Sequence, residues 1–129
     1  MEIQATFRHL RPTEELQKLI FEGARDLDIQ TGQVLAFCHV VVEGRPREHG
    51  MEATTVRAAV LGSTSALGVS HDLRARTSHE SPSTAIAAAF DTIRGKVMAE
   101  LARRETLERA EAKKRARSYP LREAIASWA

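Results

Sequence analysis

The feature that most constrains the fold is the stretch from Ser81 to Arg117, whose regular hydrophobic period predicts a single long helix. Ser81 can cap free backbone N–H groups at a helix start, and Pro82 suits the first helical position because its missing donor would be unpaired there. Apolar side chains recur every three or four residues along one side: Ile86, Phe90, Ile93, Val97 and Leu101. The next position of this stripe is the charged residue Arg104. We therefore expect the helix to leave its core at Arg104 and to continue as a mostly basic tail.

The rest of the chain has patterns typical of four strands and a shorter helix. A capped amphipathic segment predicts a helix at residues 13–27, and apolar alternation or β-branched runs predict strands at residues 3–7, 34–43, 54–61 and 67–74. The strand at residues 34–43 is almost wholly apolar, so it should lie centrally in a sheet. Residues 75–80 should form a loop. Tyr119-Pro120 should end the long helix, before a short helical segment at residues 121–128.

The resulting order of elements is β-α-β-β-β-α, which predicts an α+β two-layer sandwich with both helices on one face of the sheet. The first two strands are joined through a helix and should be parallel, whereas the two short connections that follow should be antiparallel hairpins. We divide the chain into an α+β domain at residues 1–105 and, at residues 106–129, a charged helical extension with a short C-terminal tail.

Length and composition argue against several classes of protein. The chain has 129 residues, enough for one domain, and no apolar run long enough to span a membrane. The N-terminus has no signal-peptide pattern, and the single cysteine, Cys38, excludes an internal disulfide, so we expect a cytoplasmic protein. The five histidines lack paired ligand spacing, and no nucleophile, phosphate-loop or paired-carboxylate motif is present. We expect no catalytic residue, no metal and no cofactor.

The charge distribution is uneven although the net charge is only +2. Residues 1–80 contain nine Lys and Arg against eleven Asp and Glu, whereas residues 81–129 contain ten against six. A basic C-terminal part on a nearly neutral protein indicates a polyanionic partner. The alternative is that these charges belong to an ordinary solvated helix.

Three segments in the same order resemble a known family. They are Met1 to His9 followed by Glu14-Glu15-Leu16, then Cys38-His39-Val40-Val41-Val42-Glu43, then Ala85 to Val97 followed by Arg103-Arg104. The set spans roughly residues 1–105 and is similar to the family of ribosome hibernation-promoting factor and ribosome-associated inhibitor A. The segment after Arg104 is too short for the additional folded domain of the long members, so the resemblance is to the short type.

The resemblance implies a fold like that of a double-stranded-RNA-binding domain and a role without enzyme activity. It implies binding to ribosomal RNA in the small ribosomal subunit, in the channel for mRNA and the A- and P-site tRNAs. A protein bound there would block initiation under stress or in stationary phase. Matched to the family pattern, the basic positions of the second helix are Arg94, Lys96, Arg103 and Arg104.

Further cations complete the predicted RNA-binding set. Arg74 and Arg76 precede the long helix and would flank its entry, and Lys113 and Lys114 belong to its basic tail. The alternative role of the helix cations is support of the helix through the i,i+4 pairs Glu100–Arg104, Glu105–Arg109 and Glu111–Arg115. These pairs leave five cations unaccounted for, namely Arg94, Lys96, Arg103, Lys113 and Lys114.

Aromatic residues bear on what kind of RNA recognition to expect. Phe7, Phe37 and Phe90 fit the core better than the surface, so we expect recognition of phosphates and shape with little sequence preference. No DNA and no membrane partner is expected. The alternative function is a protein-interaction module of the same fold that has lost ribosome binding. Self-association through residues 121–129 is left open.

Overall fold

The computed structural model describes the backbone of residues 1–48, 51–62 and 72–128 and the side chains of residues 1–44, 53–62 and 72–116. The described part contains four strands and two helices. Their bounds are β1 (Glu2–Arg8), α1 (Glu14–Gln30), β2 (Leu35–Glu48), β3 (Met51–Gly62), β4 (Asp72–His79) and α2 (Pro82–Trp128). This order and the α+β class confirm the predicted fold.

The four strands form one sheet in the order β1-β2-β3-β4. β1 pairs with β2 in parallel, and the other two pairings are antiparallel, as expected from the lengths of the connections. α1 contacts β1 and β2, α2 contacts β3 and β4, and the helices contact each other. The opposite face of the sheet is therefore left open by the described helices.

The core lies between the helices and one face of the sheet. Alternate β-branched residues of the two central strands are fully buried there, among them Val40, Val42, Val56 and Val60. α2 contributes the predicted stripe: Ile86, Phe90, Ile93 and Val97 are buried, and Leu101 packs against them partly exposed. Burial of each such side chain stabilises the fold by roughly 1.5–3 kcal/mol. Beyond Leu101 the described side chains of α2 are exposed except for the partly exposed Arg104, so the helix leaves the core where the sequence predicts.

α1 begins as its sequence predicts. The backbone N–H of Leu16 donates to the Thr13 hydroxyl at 3.2 Å, and two acidic residues, Glu14 and Glu15, lie in the first turn near the positive end of the helix dipole. The buried side of the helix presents Ile20, Ala24 and Leu27 to the sheet. α1 thus covers the β1–β2 half of the core.

The predicted end of the fourth strand was wrong. β4 spans Asp72–His79 and so continues past residue 74, and the predicted part at residues 67–71 lies outside the described residues. Leu73, Ala75 and Thr77 alternate toward the helices, and the Thr77 hydroxyl donates to the carbonyl of Ala85 at 2.7 Å. A half-polar edge strand of this kind shows little apolar alternation, which is why the sequence suggested a loop at residues 75–80.

Arg76 therefore belongs to the same strand as Arg74 and not to a loop at the entry to α2. Both lie on the open face, directly opposite Ala59 and Arg57 of β3. Their position in the sheet, set by pairing with β3, is what brings them close to other cations.

The predicted end of the long helix was also wrong. α2 continues through Tyr119-Pro120 to Trp128, so the extension is one helix and not a helix followed by a separate segment. A proline within a helix removes a single N–H donor and crowds the carbonyl four residues earlier. The residues after Pro120 are rich in alanine, leucine, arginine and glutamate, which favour helix and continue the same backbone conformation.

Phe37 does not lie in the core, contrary to expectation, whereas Phe7 and Phe90 do pack there. The pairing of β2 with β3 shifts register between Leu35 and Phe37, so Ala36 forms a bulge. Phe37 alternates with the buried Cys38 and therefore faces the open side, as His39 does. The bulge changes the phase before Phe37, so that Leu35 also lies on the buried side. The sequence pattern alone does not reveal this change of phase.

Candidate nucleic-acid interface

The open face of the sheet forms a hollow of about 770 Å³ across β2, β3 and β4. Its lining combines apolar and aromatic residues of the two central strands with basic residues of the edge. The described lining residues whose side chains face this side include Phe37, His39, Val41, Arg57, Ala59, Leu61, Asp72, Arg74, Arg76 and Lys96. The hollow is concave because neighbouring strands of a sheet are twisted relative to one another.

Two arginines lie directly opposite each other at this site. Arg57 of β3 and Arg76 of β4 are cross-strand partners on the open face, and both are exposed. Like charges at directly opposed positions of an antiparallel pair are destabilising. Among the described residues neither arginine forms an ion pair. The sheet therefore holds two adjacent positive charges that form no ion pair with a described carboxylate.

Two more cations lie beside this pair. Arg74 precedes Arg76 on the same face of β4, and its Nε donates to a carboxylate oxygen of Asp72 at 2.7 Å. Lys96 reaches from α2 to the edge of the sheet, where its Nζ donates to the backbone carbonyl of Arg74. Among the described lining residues Asp72 is the one carboxylate, against four cations.

The remaining predicted cation of the first half of α2, Arg94, lies apart from this hollow. Its Nη2 is 3.0 Å from the Asp91 carboxylate, and its buried Nε has no hydrogen-bond partner among the described atoms. It borders a smaller groove between the helices that also contains Glu22 and Asp26. Three carboxylates and one guanidinium line this groove, so it is unsuited to phosphate.

Arg103 and Arg104 are both paired with Glu100. Arg103 makes two hydrogen bonds to this carboxylate, at 2.6 and 3.2 Å, and Arg104 makes one at 3.4 Å. The hydrogen bond from Arg103 lowers the pKa of Glu100 and the same contact raises the pKa of Arg103. The prediction that Arg103 has no partner on the helix was wrong, because a residue three positions away on a helix is as close as one four away. The predicted Glu105–Arg109 pair is confirmed at 2.5 Å.

Lys113 and Lys114 are exposed on the extension of α2. At 1.5 Å per residue, Lys113 lies roughly 25 Å along the helix from Lys96. The structure thus brings together three of the eight predicted residues, Arg74, Arg76 and Lys96, and leaves the other five outside the hollow.

The predicted set of site residues did not include three residues of the hollow, namely Phe37, His39 and Arg57. Strand alternation alone places Arg57 on the face opposite the buried Val56 and Ala58, but its role needs the register with Arg76. Alternation likewise places His39 on the face opposite the buried Cys38, and its Nε2 lies 3.1 Å from the Thr6 hydroxyl. The available signal in the sequence was Arg57 itself, an outward-facing arginine in the middle of an otherwise apolar strand.

The arrangement is suited to binding phosphate groups. Arginine and lysine side chains on an open, concave surface can contact successive phosphates of a nucleic acid. No group of three or more His, Cys, Asp or Glu among the described residues is placed to hold a metal ion. Neither described helix combines the length and hydropathy needed to cross a membrane.

Comparison with solved structures finds two proteins with the same fold. The N-terminal domain of Protein Y from Thermus thermophilus matches with a TM-score of 0.53 and 17% sequence identity, over 75% of this chain and 96% of that domain. A ribosomal subunit interface protein from Coxiella burnetii matches with a TM-score of 0.54 and 11% identity, over 79% of this chain and 99% of that protein. No protein-family model matches the sequence, and no curated protein matches it. At these identities the likeness establishes the fold.

Proposed function

We propose that this protein binds the small ribosomal subunit in the channel for mRNA and the A- and P-site tRNAs and blocks initiation by occupying it. The bound groups would be phosphates of ribosomal RNA, and no bond would be made or broken. Such a translation inhibitor acts in the cytoplasm, under stress or in stationary phase. The resemblance of the sequence to hibernation factors and the fold shared with a ribosomal subunit interface protein support the ribosome as the partner.

The observation that carries the proposal is the cross-strand pair of Arg57 and Arg76. An opposed like-charge pair lowers the stability of a sheet by roughly 0.2–1 kcal/mol, so the fold gains nothing from it. A polyanion bound across the hollow would neutralise both charges together with those of Arg74 and Lys96. The placement of the two arginines is therefore better explained by binding of a polyanion than by a contribution to the stability of the fold.

Within this proposal the binding domain is residues 1–105, and the extension at residues 106–129 has a secondary role. The side chains of Arg103 and Arg104 are already engaged by Glu100, so their contribution to phosphate binding should be smaller than that of the hollow. Lys113 and Lys114 would make a separate contact along the projecting helix.

The experiment is pelleting of the protein with purified small subunits through a sucrose cushion, at a series of salt concentrations. The double variant Arg57→Glu/Arg76→Glu should bind at least tenfold more weakly, because it replaces two phosphate contacts by two repulsions. The double variant Lys113→Glu/Lys114→Glu changes the net charge equally and is the matched comparison, with a smaller expected loss.

Occupancy of the channel is tested by adding mRNA and initiator tRNA before the protein. Prior binding of these ligands should reduce pelleting, and unchanged pelleting would contradict a site in the channel. Wild-type binding that does not vary with salt would contradict phosphate contacts and would favour a protein-interaction module of the same fold.

A further inference from the structure

The floor of the hollow is apolar and aromatic, which binding to phosphates does not require. Phe37 is half-buried on the open face, and its ring centroid lies 6.3 Å from that of His39. Beside them Leu61, the cross-strand partner of Phe37, is 39% exposed. An exposed apolar patch enclosed by cations is typical of a surface that contacts both the bases and the backbone of a nucleic acid.

The position of these side chains in the sheet favours unpaired bases. Phe37 and His39 lie on β2 and Leu61 on β3, the two central strands of a four-stranded sheet. In a double helix the base faces are stacked inside and only backbone and groove edges are accessible, so a duplex cannot reach an apolar floor below a cationic rim. Single-stranded RNA offers free base faces, which stack on aromatic side chains of such sheets.

The cations are placed to hold the backbone of such a strand. Arg74 and Arg76 are two residues apart on β4, which separates their Cα atoms by roughly 6.6 Å. Adjacent phosphates of an extended strand have a similar spacing, so the two guanidinium groups can follow the backbone along the edge of the sheet. Lys96 and Arg57 lie on either side of this line and extend the positive surface.

We propose that the hollow binds a short segment of single-stranded RNA, with a base stacked on Phe37 and the flanking phosphates on Arg57, Arg74, Arg76 and Lys96. The inference rests on the proposed function in one respect, namely that the bound polyanion is RNA. It adds that this RNA is unpaired. An acidic protein segment is the other partner that this charge would attract, and it would not need a stacking platform.

The test measures binding of a fluorescein-labelled octamer of uridylate or adenylate, by anisotropy, with an RNA duplex of equal phosphate count as comparison. The full-length wild-type protein should prefer the single strand. Phe37→Leu should weaken binding of the single strand about 5- to 150-fold, the value for loss of one stacked base. Phe37→Tyr keeps the aromatic ring and should bind like the wild type. Phe21→Leu, at an exposed aromatic position of α1 away from the hollow, is the matched control and should have no effect.

The salt dependence separates stacking from phosphate contacts. With four phosphate contacts the logarithm of the association constant should fall against the logarithm of the salt concentration with a slope of about −3, and Arg57→Gln/Arg76→Gln should reduce the slope to about −1.5. Phe37→Leu should leave the slope unchanged. A duplex bound as tightly as the single strand, an unaffected Phe37→Leu variant, or equal competition by polyglutamate would overturn the inference.

The outcome is distinguishable from failure of the proposed function. If the octamer does not bind but small subunits still pellet the protein, the inference is wrong and the ribosomal role stands. If the octamer binds through Phe37 but subunits do not pellet the protein, the single-strand site stands and the ribosomal role is wrong.

Discussion

Replacing Arg76 by glutamine should stabilise the fold while weakening RNA binding. Arg76 is directly opposite Arg57 in the antiparallel pairing of β3 with β4, and neither has an ion-pair partner among the described residues. Removing one charge relieves a repulsion of about 0.2–1 kcal/mol. For a chain of this length each kcal/mol corresponds to about 4 °C, so the Tm should rise by about 1–4 °C at low ionic strength.

Thermal unfolding followed by circular dichroism measures this effect at 20 mM and at 500 mM salt. The gain should be largest at low salt and should nearly disappear at high salt, because both charges are exposed and the Debye length shortens to a few ångströms. Arg57→Gln should give a similar rise, and the double variant should gain less than the sum of the two, because the repulsion can be removed only once.

Arg109→Gln is the matched control. This residue is an exposed arginine whose Nη2 is 2.5 Å from the Glu105 carboxylate, so its removal eliminates an attraction and should not raise the Tm. A Tm for Arg76→Gln that is unchanged or lower than wild type at low salt would refute the argument that the pair is an uncompensated repulsion. A rise in Tm with undiminished binding to RNA would refute its functional meaning.

The remaining predictions concern the packing and the buried thiol. Gly95→Ala should raise the free energy of unfolding by about 0.5–1 kcal/mol, because a Cβ there meets nothing within 4 Å and alanine favours helix. Gly23→Ala should instead lower it by about 1–2 kcal/mol in urea titrations, because the added Cβ would lie 2.6 Å from the ring of Phe90. Thr77→Val should lower it by about 1 kcal/mol in the same assay, since its hydroxyl donates a 2.7 Å hydrogen bond to a carbonyl in the first turn of α2. Burial raises the pKa of the Cys38 thiol from 9.0 to about 11, so the folded state keeps a proton that the unfolded chain releases. Between those pH values the free energy of unfolding should therefore fall by about 2 kcal/mol relative to Cys38→Ala, with no such difference below pH 9.

The main architecture was predictable because its signals are local and periodic. The spacing of Ile86, Phe90, Ile93 and Val97 indicates one buried side of a helix, and the structure buries all four. The alternation of Val56, Ala58 and Val60 likewise gave the buried face of β3, and the short connections gave the antiparallel pairings. Each of these patterns lies within a single helix, strand or connection, so it can be read without knowing how the elements pack together.

The candidate site was less predictable because it depends on register between elements. The sequence contains Arg57 and Arg76, but their opposition follows from the pairing of β3 with β4, which continues past the predicted end at residue 74. Phe37 faces the open side because it alternates with the buried Cys38, whereas Leu35 is also buried because of a bulge at Ala36 that leaves no mark in the hydrophobic pattern.

The position of a cation on a helix was also a poor guide to its partner. Arg94 and Lys96 are two residues apart, yet one lies in an acidic groove between the helices and the other at the edge of the sheet. Helical geometry predicts that they lie on opposite flanks, which the structure bears out, but not which charges surround each flank.

The most direct test of the central claim is sucrose-gradient fractionation of a stationary-phase lysate at low salt, comparing wild type with Arg57→Glu/Arg76→Glu. We expect wild-type protein in the fractions that contain small subunits and the variant at the top of the gradient, although the variant remains folded. Wild-type protein found only at the top would contradict the ribosomal role. A variant that still migrates with small subunits would contradict the assignment of the binding site to the open face of the sheet.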